Sequence, residues 1–128
     1  MINVAAGIIQ REDKFLIAQR HRNDSHGLMW EFPGGTLNPH ECGEDGIVRE
    51  LMEELNIEVE VVRYYGYYTE PPIWVQYYLV KYVSGDLKLV EHEQAVWVTL
   101  EQLLDYDLLA GDRIIAQKLI SQSRMGQT

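Results

Sequence analysis

The chain has 128 residues, 46% of them hydrophobic, with 20 acidic against 11 basic side chains and a formal net charge of −9. That length suits a single domain, expected over residues 1–128, burying about 65–70% of its unfolded surface. The acidic balance argues against duplex nucleic acid, which needs a basic footprint, and the lone Cys42 excludes an internal disulfide and a cysteine-based zinc site.

No apolar run approaches membrane-spanning length, and Met1-Ile2-Asn3-Val4 lacks the basic start and long apolar stretch of a signal peptide. The expectation is a cytoplasmic protein with no membrane partner. An acidic protein still accepts a polyphosphate where divalent cations intervene.

In chain order, Val4 to Ile9 reads as a strand, turned by Glu12-Asp13-Lys14 into a second strand at Phe15 to Ala18, so the two form a hairpin. His21 to Gly27 is polar and turn-like. Met29 to Phe32 is a short strand halted by Pro33-Gly34-Gly35, and Thr36 to Cys42 is a loop. A helix follows from about Gly43 to Leu55, with Asn56 suited to the left-handed position after its end. Ile57 to Tyr68 and Ile73 to Tyr82 are two longer antiparallel strands, and Ala95 to Val98 is another. Strict alternation along the first of these puts Tyr65 and Tyr67 on one face and Tyr64 and Tyr68 on the other. Thr99 with Glu101 and Gln102 resembles a capped helix start. A last helix is expected from Gly111 or Asp112 to Ser123, with Ile114, Ile115, Lys118 and Leu119 inward. Strands flanked by two helices make an α/β layer structure.

Most of the chemistry lies in residues 35–57, GTLNPHECGEDGIVRELMEELNI. Glu50, Glu53 and Glu54 stand at i, i+3 and i+4, so a helix gathers all three on one face. Ile47, Leu51 and Leu55 fall opposite, flanked by Val48 and Met52, and give the helix a stripe to bury. Clustered carboxylates repel one another unless a positive charge sits among them, and their hard oxygens suit Mg²⁺ or Mn²⁺, which in turn bind phosphate. The bland alternative is a solvated acidic face with an Arg49–Glu53 ion pair, worth about 0.2–0.5 kcal/mol.

Gly35, Glu41, Arg49-Glu50-Leu51, Glu53-Glu54 and Ile57 are spaced like the Nudix box, G-x5-E-x7-R-E-U-x-E-E-x-G-U with U aliphatic. The chain resembles Nudix hydrolases of the MutT-type branch over nearly all its length. Asn56 stands where the pattern has glycine, and Thr36, Asn38, His40 and Gly46 where this branch often has a basic residue, glutamate, glycine and alanine.

The resemblance implies an α/β/α sandwich around a mixed sheet. It also implies Mg²⁺- or Mn²⁺-dependent cleavage of nucleoside triphosphates such as 8-oxo-dGTP, dGTP or CTP to the monophosphate and pyrophosphate, by a monomer or homodimer acting on a small-molecule nucleotide. A nucleotide-sugar or dinucleotide polyphosphate hydrolase is the alternative, and a non-catalytic nucleotide sensor a third reading. By resemblance, Glu50 and Glu54 are metal ligands, Glu53 a ligand or base, and the Gly35 carbonyl a further ligand. Arg49 orients the glutamates and Glu41 is structural. A further acid is expected from Glu91 or Glu93, with Glu93 preferred on position. Arg20 is assigned to the phosphates, against the alternative of a surface arginine. Phe32 is placed on the substrate side. Asp112 is a nucleobase contact or a helix cap.

Overall fold

The computed structural model describes residues 1–125. Its elements are β1 (Ile2–Arg11), β2 (Lys14–Arg20), β3 (Trp30–Glu31), β4 (Gly34–Thr36), α1 (Gly43–Leu55), β5 (Glu58–Glu70), β6 (Ile73–Ser84), β7 (His92–Thr99), a 3₁₀ turn at Leu100–Asp105 and α2 (Ala110–Arg124). The strands form one mixed sheet in the order β3-β2-β1-β6-β5, with β4 added to β1 and β7 to β2. β1 and β6 run parallel at its centre, and the other pairings between strands are antiparallel.

A strand buried on both faces reads as a continuous apolar run, and Ala5, Ala6, Ile8 and Ile9 of β1 are all buried. The two-residue period sends them to opposite sides. Ala6 and Ile8 join Phe15, Ile17, Ile115 and Ala116 under α2. Ala5 and Ile9 join Leu16, Ile47, Leu51 and Leu55 under α1. One helix on each face of a mixed sheet is the expected sandwich. Among the described residues no helix is long and apolar enough to cross a membrane.

One edge of β1 is divided between two partners. Ile9 to Arg11 pair with β2, whereas Val4 to Ala6 pair with β4. β1 and β2 therefore separate beyond the hairpin, and the segment through β3 and β4 folds into the opening. β4 corrects the sequence reading, which ended the strand at Pro33 and left Thr36 in a loop. Gly34 and Gly35 read locally as breakers, but they permit close approach. A Cβ on Gly34 would overlap the Ala5 carbonyl oxygen.

Helix α1 has the expected bounds, and Asn56 closes it at φ 60, ψ 34 with its N–H directed to the Leu51 and Met52 carbonyls. Thr99 opens a 3₁₀ turn rather than an α-helix, its N–H bonded to Gln102 Oε1 at 2.9 Å. The inner stripe of α2 also differs from expectation. Ile115, Ala116 and Ile120 are buried, whereas Ile114 is 52% exposed and Lys118 is exposed. The stripe starts one turn earlier, at buried Asp112, and its i, i+3, i+4 spacing excludes Ile114 and Lys118. In β5, register shifts at Val61/Arg63 and Tyr64/Gly66 break the alternation. Tyr65 and Tyr68 consequently share the α2 side, while Tyr64 packs edge-on against Tyr78 at 5.6 Å.

Candidate active site

Arg49 organises the charged face of α1. An arginine carries five N–H donors in a rigid fork, and all of them are used here. Nε and Nη2 grip the two oxygens of Glu41 at 2.8 Å each, and Nη1 serves Glu50 Oε1 and Glu53 Oε1 at 2.9 Å each. The second Nη2 proton reaches the Thr36 carbonyl at 3.3 Å. No donor is left for a substrate, so Arg49 gathers carboxylates. The Arg49 hydrogen bonds, aided by the Asn38 N–H, bring the Glu41 carboxyl down to about 2. Burial of part of this web leaves the Arg49–Glu53 pair as one strand of a network rather than an isolated surface bridge.

Glu54 is the box glutamate without a bond to Arg49. Burial first, then the charges of Glu50, Glu91 and Glu31, push its carboxyl up to about 9. Carboxyl groups thus crowd around Glu54. The Glu50 carboxylate, 11% exposed, lies so close to Gly35 that a Cβ there would overlap Glu50 Oε2. Glycine at that position leaves the glutamate room to lie against the backbone.

Gly35 also lines a cleft of about 680 Å³ that opens between β4, the β5–β6 turn and the start of α2. The size is that of small-molecule sites, typically about 300–1,000 Å³. Arg20, Phe32 and Asp112, three residues singled out in the sequence, line the same cleft. Arg20 at the end of β2 bonds Glu31 Oε1 through Nη1 at 2.9 Å and the Ser25 carbonyl through Nε at 2.9 Å. It is no free surface arginine.

Asp112 is not a helix cap. Leu109 holds the N-cap position of α2, and Asp112 lies within the first turn with its side chain turned inward. Its Oδ2 accepts the Phe32 N–H at 2.8 Å and its Oδ1 the Tyr77 hydroxyl at 2.5 Å. Burial raises its carboxyl to about 7 against the lowering effect of those two bonds. The same residue ties α2 to the β3–β4 segment and to β6. Sequence spacing gave no signal for this contact, because its partners are 80 and 35 residues away.

Comparison with known proteins agrees with this geometry. The NUDIX domain family matches residues 1–119. The chain belongs to the Nudix family. It is 37% identical over 116 residues to a CTP pyrophosphohydrolase of Escherichia coli, covering 88% of this chain and 86% of that protein. It is 42% identical to an 8-oxo-dGTP diphosphatase of Proteus vulgaris over 59 residues, 45% of this chain and 53% of the relative. MutT from Aliivibrio salmonicida and Vibrio cholerae, studied together, supplies a structural neighbour with a TM-score of 0.83 and 28% identity, covering 94% of this chain and 98% of that one. The protein is a Nudix hydrolase, and its relatives are pyrophosphohydrolases acting on nucleotide phosphoanhydride bonds.

Nudix hydrolases generally use divalent metals such as Mg²⁺. Among the described residues, no three His, Cys, Asp or Glu side chains converge into a ready-made metal cage. The donor set nevertheless fits Mg²⁺, which is usually held by one or two carboxylates plus substrate phosphates rather than by an all-protein cage. Glu50 and Glu54 supply hard oxygens, and the crowding of carboxyls that disfavours ionisation of Glu54 is what a cation would relieve.

Glu91 and Glu93, the two candidates for a further acid, have different neighbours. Glu93 turns to the segment after β2, accepting the Arg22 N–H at 3.3 Å and facing His21 Nε2 and Arg22 Nε at 3.6 Å each. Glu91 is the acid whose charge bears on Glu54. The two differ because they flank the start of β7, where backbone pairing with Arg20 begins at His92. Two further departures in the box have local reasons. His40 adopts φ 67, the left-handed conformation for which glycine is the usual choice. Gly46 leaves room for Leu37, which a Cβ would overlap. His40 is exposed. Neither Glu31 nor His92 was singled out in the sequence, although both stand at the cleft wall or directly behind it.

Proposed function

We propose that this Nudix hydrolase cleaves nucleoside triphosphates of the 8-oxo-dGTP, dGTP or CTP type to the monophosphate and pyrophosphate, with Mg²⁺ or Mn²⁺. The observation that carries the reading is the position of Gly35. It belongs at once to a nucleotide-sized cleft and to the carboxylate cluster of Glu50 and Glu54. A nucleoside in the cleft would therefore direct its phosphates toward that cluster, with Arg20 alongside. The names of the relatives, acting on CTP and 8-oxo-dGTP, support the same substrate class.

A phosphoanhydride resists hydrolysis because its anionic oxygens repel a nucleophile. A bound divalent cation supplies the neutralisation of that charge. The chain's own residues supply position and field. Glu50 and Glu54 present carboxylate oxygens for the cation, and Glu53, 58% exposed, keeps one oxygen on Arg49 and has the other for the cation or for water. Arg49 holds Glu50 and Glu53 at fixed spacing. Arg20 retains donors for the phosphates.

The expected product pair is pyrophosphate and the nucleoside monophosphate. Turnover of a nucleotide panel with Mg²⁺ in heavy-oxygen water, with products separated and weighed, checks both bond and base. Orthophosphate as the first product would rule out a pyrophosphohydrolase.

A further inference from the structure

We infer that Glu31 and His92 are positioning residues which fix the Arg20 guanidinium in the cleft, an inference that rests on Arg20 meeting the phosphates of the proposed substrate. Arg20 commits three of its five donors to the protein. Nε bonds the Ser25 carbonyl at 2.9 Å, Nη2 the Ser25 hydroxyl at 3.3 Å, and Nη1 Glu31 Oε1 at 2.9 Å. One proton remains on each terminal nitrogen. That pair is the fork a phosphate accepts in bidentate fashion.

The two sides of this grip differ in firmness. Ser25 belongs to an exposed segment. Glu31 belongs to β3 and its side chain is 13% exposed. Its second oxygen lies 2.8 Å from His92 Nε2, and that imidazole is 4% exposed. His92 stands opposite Arg20 in the β2–β7 register. The three side chains thus come from three adjacent strands, β7, β2 and β3. His92 Nδ1 is buried without a partner. A neutral ring donating from Nε2 leaves only a lone pair unmet, the less costly arrangement. Glu31 is then held on one oxygen by His92 and offers the other to Arg20.

Glu31 brings a largely buried charge to the wall of the cleft, where its two partners are the guanidinium that lines the cleft and the imidazole behind it. That arrangement holds the guanidinium beside the space a substrate would fill.

A double-mutant cycle separates positioning from scaffolding, because residues acting through one another give non-additive effects. Glu31→Gln is expected to lower kcat/KM for a triphosphate by about 10-fold, mostly through KM, and by less than about 2-fold in an Arg20→Ala background. His92→Leu should follow the same pattern, and His92→Gln, which keeps a donor for Glu31, should recover most of the loss. His92→Leu carries the test should Glu31→Gln fail to fold, which thermal melts report. Equal fold-losses with and without Arg20, or no recovery by His92→Gln, overturn the inference alone. A parent protein that neither binds nor cleaves any nucleoside triphosphate overturns the functional reading and this inference with it.

Discussion

Glu54→Gln is expected to lower Mg²⁺-dependent kcat/KM by about 10²–10³-fold, the scale for losing one preorganised electrostatic group, while making the metal-free protein more stable. The two effects have one origin. In the metal-free protein the Glu54 carboxyl is raised from 4.5 to about 9, by burial and by Glu50, Glu91 and Glu31. A carboxyl raised on folding contributes stability below its unfolded value, and that contribution is lost as pH climbs toward the folded one. At pH 7.5 most of the loss has been incurred. Glutamine keeps the shape and carries no charge, so it avoids the loss. Glu54 is only partly buried, so solvent screening reduces the gain to about 1 kcal/mol, or a few degrees in Tm. Added Mg²⁺ should raise the Tm of the parent and leave the variant nearly unmoved. Melts with chelator and with Mg²⁺, beside steady-state rates, check all three. Equal turnover by the two proteins would falsify the assignment of Glu54 to the metal side.

What the sequence carried, and what it did not, divides along contact distance. Helix α1 was legible to the residue because its signals are local: an apolar stripe, a following asparagine able to turn left-handed, and charges three and four residues apart. The web around Arg49 was legible in part, since Glu50 and Glu53 are helical neighbours. β4 was not, because Gly34 and Gly35 read locally as breakers and become a strand only against β1. The tyrosine faces of β5 do not follow from alternation for a similar reason, since a bulge is a property of the pair of strands and not of one. Glu31, His92 and Tyr77 carry no local signal, because their partners sit on other elements. Glu91 and Glu93 likewise read alike in the sequence. Both are acids at one end of β7, and only the pairing with β2 decides which one faces α1.

Asp112 gives the sharpest contrast between two substitutions at one atom-for-atom site. Asp112→Ala should destabilise the protein by about 2–4 kcal/mol, because it leaves the buried Phe32 N–H and Tyr77 hydroxyl without their acceptor. Asp112→Asn should be far milder. Its carbonyl can accept the Phe32 N–H, and its amide can donate to the Tyr77 oxygen, since a phenol both donates and accepts. The aspartate itself takes that form when protonated. Its carboxyl is raised from 3.8 to about 7, chiefly by burial, so its contribution to stability is full below 3.8 and is lost as pH rises through about 7. The asparagine variant has no such loss. Its stability relative to the parent should therefore rise between pH 4 and pH 7 and level off above, by about 2–4 kcal/mol over the window. Denaturant melts at a series of pH values measure that difference directly. Relative kcat/KM across the four bases and 8-oxo-dGTP is the second readout. A clamp holds Phe32 and α2 in place and leaves the ranking unchanged by asparagine. A reordering of guanine- and cytosine-type substrates by the 1–3 kcal/mol of a base-edge contact, with a flat pH difference, would instead make Asp112 a reader of the base.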